Sequence, residues 1–235
     1  MKNTKITISL LVIVLTLAYS AIPLFASSKE KEYAEKLGQT LNAIFTPDDI
    51  KVTINGKYAW IETVGAKIDH IRIEKIIFKA KLKDELDKLL QDKPEDAIEF
   101  AEGELILLEK DVNNYFIKED VKDFKDLSFD FTKDGFKGKG AYMGDFTLGL
   151  KVNIGTTGNL ALEKDGIYFR NTDLYIVNVK QPREISSLII NKINPLLNFK
   201  DIPFPVKFKE LKMTEEAIIL TSFPQKIVNG ATWQK

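Results

Sequence analysis

The chain has 235 residues, 34 basic and 34 acidic side chains, and no cysteine. This length suits one domain with a substantial core, and 44% hydrophobic with 29% charged residues argues against global disorder. The balanced charge gives no electrostatic basis for binding nucleic acid, and the lack of cysteine excludes disulfides and a thiol-linked lipid anchor.

Residues 1–28 predict an export signal. Lys2 and Lys5 precede an uncharged, mostly apolar run that continues to Lys29, with small residues towards its end. This pattern is typical of a signal peptide, but the run is also just long enough for an N-terminal membrane anchor. Both alternatives place residues 29–235, which we expect to form a single domain, outside the cytoplasm, because the positive N-terminus stays inside.

The first half of that domain predicts a helix followed by antiparallel strands. Asn55-Gly56 between two alternating runs is a strong hairpin signal. In the next strand the apolar parity changes between Ile73 and Ile76, which indicates a bulge or a bend. In chain order, the patterns predict a helix at 28–45, a hairpin at 50–64, a strand at 68–82, a short helix at 84–90, a strand at 101–108 and a short helix at 109–116.

Residues 127–180 are the feature around which the fold is predicted. Apolar side chains fall on alternate positions in 127–131 and again in 142–154, which is the period of a strand with one buried face. Gly144 and Gly149 lie inside this pattern and fit a strongly curved sheet. We therefore expect long antiparallel strands with one continuous apolar face.

The last part of the chain predicts a second amphipathic helix. Its start carries Pro182, which is tolerated in the first turn, and it ends before Asn194-Pro195. The remaining patterns are this helix at 181–193, an apolar linker at 196–205 and strands at 206–213 and 217–223. The expected fold class is α+β, with a long, strongly curved antiparallel sheet wrapped around two amphipathic helices.

Catalytic and metal-binding patterns are weak. His70, the only histidine, lies in a predicted strand and has no second His or Cys with which to share a metal. Paired carboxylates would suit glycoside hydrolysis, but the candidates fall on wet strand faces or at turns. We therefore expect a protein without enzymatic activity, metal or cofactor. The carboxylates considered are Asp130, Asp134, Asp145 and Glu163.

The long apolar faces are more informative. A plain core is the commoner explanation for any single apolar residue, but only two good helices are available to cover the apolar faces of the strands. A lipid groove would use the same surface, because an acyl chain binds by removing apolar area from water, at about 0.8 kcal/mol per buried methylene.

Several short segments occur in a suggestive order: the helix Ala34-Glu-Lys-Leu37, the stretch Ile71–Ala80, the segment Leu108–Tyr115, and Ile193-Asn-Pro195 leading to Ile202-Pro-Phe-Pro205. In this order they resemble the LmeA-like phospholipid-binding family of bacterial envelope proteins, over roughly residues 30–223, and the last pair is the most specific. The resemblance implies a TULIP-like fold, in which a curved sheet wraps a long helix and lipid lies between them. It also implies phospholipid binding near the outer face of a membrane.

We therefore expect an extracytoplasmic phospholipid-binding protein of the cell envelope, in envelope maintenance or lipid and glycolipid handling. Its ligand would be a phospholipid or another acyl lipid at the outer face of the cytoplasmic membrane, and the oligomeric state is open. An interaction module with a solid core and a glycan hydrolase with paired carboxylates are the alternatives. The expected lipid-binding residues, taken from amphipathic positions, are Leu37, Leu41, Ile44, Phe45, Phe129, Phe131, Tyr142, Phe146, Leu148, Leu150, Ile185, Leu188, Ile189 and Ile193.

Overall fold

The computed structural model describes residues 28–91, 93–118, 121, 123–144 and 147–235. The predicted leader therefore lies outside the described residues, apart from Ser28, as does Phe146. Within the described ranges the fold is α+β, with three α-helices and two open, mostly antiparallel sheets. The helices are α1 (Ser28–Phe45), α2 (Glu109–Lys118) and α3 (Arg183–Ile190).

The strands are β1 (Asp49–Asn55), β2 (Tyr58–Ile68), β3 (Ile71–Leu82), β4 (Ile98–Leu108), β5 (Phe124–Thr132), β6 (Gly135–Tyr142), β7 (Val152–Glu163), β8 (Gly166–Ile176), β9 (Val179–Lys180), β10 (Leu197–Asn198), β11 (Val206–Lys207), β12 (Glu210–Met213), β13 (Ala217–Thr221) and β14 (Ala231–Gln234). The first sheet has the order β12-β13-β4-β3-β2-β1-β14, with β11 paired to β4. The second has the order β10-β8-β7-β6-β5, with β9 paired to β8.

The predicted hairpin at 50–64 is confirmed as β1 and β2. Asn55 pairs with Tyr58 across a two-residue turn, and Gly56 at its first central position has φ +54°, the geometry that glycine adopts at little cost. Helix α1 packs on this part of the first sheet and contacts β1, β2 and β14. Strand β14 was not predicted from the sequence.

The predicted strand at 68–82 needs a correction at its start. Asp69 and His70 form a turn between β2 and β3, with φ of +46° and +67°, so His70 is a turn residue and not a strand residue. The parity change between Ile73 and Ile76 is real, since both side chains are buried although they lie three residues apart. It coincides with a change of neighbour, because β3 pairs with β4 from Lys75 onwards.

The central strands at 127–180 are confirmed as β5 to β8, but the predicted run 142–154 is interrupted. Strand β6 ends at Tyr142 and β7 begins at Val152. Leu148 and Gly149 between them have φ of +51° and +77°, so the backbone leaves the extended region although alternate apolar side chains continue.

Two asparagine side chains hold the second sheet at positions where a neighbouring strand is lacking. The Asn113 amide of α2 accepts from the Phe129 backbone N–H (2.7 Å) and donates to its carbonyl (2.9 Å). Asn194 does the same for Phe169, at 2.8 and 3.2 Å. Each amide thus replaces one missing step of a strand ladder, and the two phenylalanine rings stack in the core with centroids 5.1 Å apart.

Candidate functional site

The residues predicted for the first helix lie in two environments. Leu37, Leu41 and Phe45 are buried in the hydrophobic core that α1 forms with the first sheet. Gly38 lies so close to the ring of Trp233 in β14 that a Cβ atom there would come within 2.0 Å of it. Ile44 is exposed, contrary to the expected packing towards the sheet, because it lies at the edge of the buried stripe. Protein side chains therefore fill this helix–sheet interface.

The residues predicted for the sheet wall are also divided. Phe129, Phe131 and Tyr142 are buried in the core. Leu148 and Leu150 are exposed in the loop between β6 and β7, so they do not belong to a continuous wall.

The second predicted helix shows the same division. Ile189 and Ile193 are buried and Ile185 is partly buried against the core, whereas Leu188 points to solvent. Leu188 lies outside the buried stripe of Ser186, Ile189 and Ile190, which corrects its expected packing. The predicted set is thus mostly core, with exposed members in three separate elements.

A cleft of about 620 Å³ lies elsewhere, where the linker after α3 passes the turn between β7 and β8. The linker is fixed at both ends: Leu197 pairs with Ile167 of the second sheet, and Val206 pairs in parallel with Ala101 of the first. It therefore bridges the two sheets. The cleft is lined by residues 162–165, 199–200 and 202–208.

The floor of the cleft is aromatic and aliphatic. Phe199 and Phe204 are buried, the Phe199 ring lies 5.2 Å from that of Phe208, and Phe204 meets Phe78 edge-on at 5.5 Å. Pro203 and Pro205 also line it. Because proline has no backbone N–H, both remove a polar donor from the wall and leave it more apolar.

The rim of the cleft carries three exposed lysines, Lys164, Lys200 and Lys207. In the part of the chain that the structure describes, no carboxylate forms an ion pair with any of them. The Lys207 ammonium lies 4.3 Å from the centroid of the Phe100 ring. These cations are available to a ligand.

The two carboxylates at the cleft already have partners. Arg170 Nε donates to Glu163 Oε1 at 2.6 Å, and Tyr168 Oη donates to Asp165 at 3.0 Å. Burial, and then this hydrogen bond, raises the pKa of the Tyr168 hydroxyl, so it remains a donor at neutral pH. The cleft therefore offers an apolar interior and a cationic edge.

The carboxylates considered for hydrolysis do not form a catalytic pair in the described part of the chain. Asp130 and Asp134 are exposed, Glu163 is bound by Arg170, and Asp145 lies outside the described residues. Among the residues with a described position, no group of three or more His, Asp or Glu side chains could hold a metal ion. Nor does any helix in the described ranges have the length and apolar character to cross a membrane.

The cleft was missed in the sequence, although a signal for it was present. The linker at 196–205 is apolar and carries Ile202-Pro-Phe-Pro205, but it has neither helical nor strand periodicity, so it supplied no predicted lining residues.

In comparisons with known proteins, no family model, no curated protein and no solved structure matches the chain. The LmeA-like resemblance therefore stays a prediction.

Proposed function

We propose that this protein binds a phospholipid or another acyl lipid in the cleft between the linker and the β7–β8 turn, and that it does so outside the cytoplasm without catalysing a reaction. The observation that carries the proposal is the combination of an apolar floor, built on Phe199 and Phe204, with three lysines that have no ion-pair partner in the described part of the chain.

This combination fits an anionic amphiphile. Each methylene that enters the floor contributes about 0.8 kcal/mol, and a lysine ammonium acts as a point charge towards a phosphate or carboxylate. The cleft volume of about 620 Å³ is within the roughly 300–1,000 Å³ of small-molecule sites.

The proposal includes membership in the LmeA-like family and its TULIP-like fold, with a strongly curved antiparallel sheet wrapped around two amphipathic helices, α1 and α3. Its support is that Ile202-Pro-Phe-Pro205, the segment most specific to the resemblance, lines the cleft. The site we propose differs from the expected one, since lipid contacts the linker and not the face of α1.

Lipid extraction and mass spectrometry of the purified protein test the proposal, together with titration by a fluorescent fatty acid. The double variant Lys164→Glu/Lys200→Glu changes only exposed rim side chains, so we expect folding to persist and affinity for the acid to fall about tenfold. Lys133→Glu/Lys212→Glu has the same change of charge at exposed positions that do not line the cleft, and should have the smaller effect on affinity.

Two results would overturn the proposal. One is that no lipid is extracted and no fatty acid or phospholipid binds. The other is that both double variants weaken binding equally, which would place the ligand away from the rim. Sequencing the N-terminus of the protein recovered after export tests the predicted leader separately.

A further inference from the structure

Four large apolar side chains are exposed at one end of the second sheet. They occupy the loop between β6 and β7, the turn between β8 and β9, and the first position of β9. Neither element contributes these side chains to the core. They are Leu148, Leu150, Val177 and Val179, which are 90%, 70%, 70% and 62% exposed.

The two elements lie side by side. Tyr142 pairs with Val152 at the base of the loop at 143–151, and Ile154 of the same β7 strand pairs with Ile176, where the next turn begins. The four side chains therefore form two neighbouring tips. We call these four residues the apolar tips: Leu148 and Leu150 form one tip, and Val177 and Val179 form the other.

The backbone at the tips is unfavourable for apolar residues. Val177 and Asn178 have φ of +49° and +64°, and they are the central residues of a two-residue hairpin turn. Turns of this kind strongly favour Asn, Asp or Gly, and positive φ at a β-branched residue is an outlier. Leu148, at φ +51°, repeats the pattern in the adjacent loop. Folding alone does not account for an apolar side chain at Leu148 or at Val177, so the apolar character of these two positions points to a contact outside the chain.

The charges directly behind the tips are paired. Each tip is followed by a lysine, and Lys151 binds Asp126 at 3.0 Å while Lys180 binds Asp173 at 2.6 Å. The aliphatic stems of both lysines lie next to the tips while their ammonium groups stay paired. The acids keep the region close to neutral.

We propose that the apolar tips insert into the headgroup–acyl boundary of a lipid bilayer. Leu148, Leu150 and Val177 lie in a loop and a turn, and the edge strand that Val179 begins is only two residues long. The tips therefore offer neither a groove nor an edge of useful length, which are the surfaces that peptides use. Apolar residues at the extremity with lysines just behind them are typical of interfacial membrane contacts. Because the lysines are paired, apolar insertion drives the contact, and we expect it on zwitterionic vesicles with little dependence on salt.

This inference extends the proposed function but uses a different surface. The cleft lies at the β7–β8 turn, at the other end of the same hairpin, and 12-residue β7 separates the two by about 35 Å. A docked protein would therefore hold its cleft away from the bilayer. The two proposals can fail independently.

The absence of cysteine allows a direct test in the full chain. Leu148→Cys and Val177→Cys each provide one site for an environment-sensitive fluorophore, and Val228→Cys labels an exposed apolar residue elsewhere. On addition of phosphatidylcholine vesicles, we expect a blue shift at the two tip sites and none at position 228. A blue shift without vesicles that grows with protein concentration would refute the bilayer proposal, because it would show that the tips contact a second copy of this chain.

A paired variant tests the energetics. Leu148→Asn/Val177→Asn places at positive φ a residue that tolerates it, so the fold should be retained. We expect vesicle affinity to fall at least tenfold while fatty-acid affinity is unchanged, and Val228→Asn should change neither. Equal vesicle binding by wild type and the double variant would refute the docking proposal. If the wild-type protein inserts into vesicles but does not bind fatty acid, only the proposed lipid site in the cleft is refuted.

Discussion

Gly38→Ala tests whether the interface between α1 and the first sheet is solid. The added Cβ would lie 2.0 Å from Cε3 and 2.5 Å from Cζ3 of Trp233. Ordinary carbon contacts are about 3.5–4.0 Å, so the indole or the helix must move by about 1.5 Å. Glycine to alanine inside a helix normally stabilises by about 0.5–1 kcal/mol, whereas overpacking costs about 1–3 kcal/mol. We expect a net loss of about 1–2 kcal/mol in the free energy of unfolding.

Urea denaturation of four proteins measures this effect: wild type, Gly38→Ala, Trp233→Ala and the double variant. Without the indole the clash is absent, so Gly38→Ala should stabilise the Trp233→Ala background by about 0.5–1 kcal/mol. The change of sign is the signature of direct contact. If Gly38→Ala stabilises both backgrounds, α1 is not seated on β14. The helix–sheet interface would then have room for a lipid, and there would be no reason to prefer the cleft as the proposed lipid-binding site.

Two further predictions concern the contacts that hold α2. Arg72→Met leaves the buried Asp111 carboxylate without the cation 3.3 Å away and also removes the more exposed pairs with Asp48 and Glu74. It should lower the urea midpoint by the equivalent of about 1–3 kcal/mol; a loss under about 0.5 kcal/mol would mean that none of the three pairs stabilises the fold. Asn113→Ala removes both bonds to the Phe129 backbone and should cost about 1–3 kcal/mol, whereas Asn114→Ala next to it, at an exposed position, should stay within about 0.5 kcal/mol. Equal effects at the two asparagines would contradict the stabilising role of the Asn113 hydrogen bonds to Phe129.

Elements with a strong local signal were predicted well. Helix α1 has an apolar stripe at helical spacing, and the first hairpin has Gly56 where its turn needs positive φ. The break at 143–151 was not predictable in the same way. Leu148 and Leu150 continue a period of two, and period describes side-chain spacing without fixing the backbone angle. The unpredicted β14 is only four residues long and depends on β1 for its pairing.

The candidate site was harder to predict than the fold, for a physical reason. Amphipathic periodicity identifies residues that leave water, and a core position such as Leu37 satisfies it as well as a ligand contact does. The cleft forms where residues 162–165 meet 199–208, and only the pairing of β10 with β8 and of β11 with β4 brings these segments together. The irregular segments between these short strands have no hydrophobic periodicity, so the contact between residues 162–165 and 199–208 could not be inferred from the sequence.

If the proposed lipid binds and is released, a surface cleft is the less costly place for it in this chain. An internal tunnel of the same volume, about 620 Å³, would cost about 15 kcal/mol if it stayed dry after lipid left, at roughly 24 cal/mol per Å³. That is as large as the whole stability of a typical domain, about 5–15 kcal/mol, and the chain has no disulfide to offset it. Water can enter an open cleft, so release of the lipid need not threaten the fold. If the proposal is right, chemical removal of the lipid should lower the melting temperature only by the ligand's own binding contribution. Cooperative unfolding on delipidation would instead indicate that the lipid is part of the core.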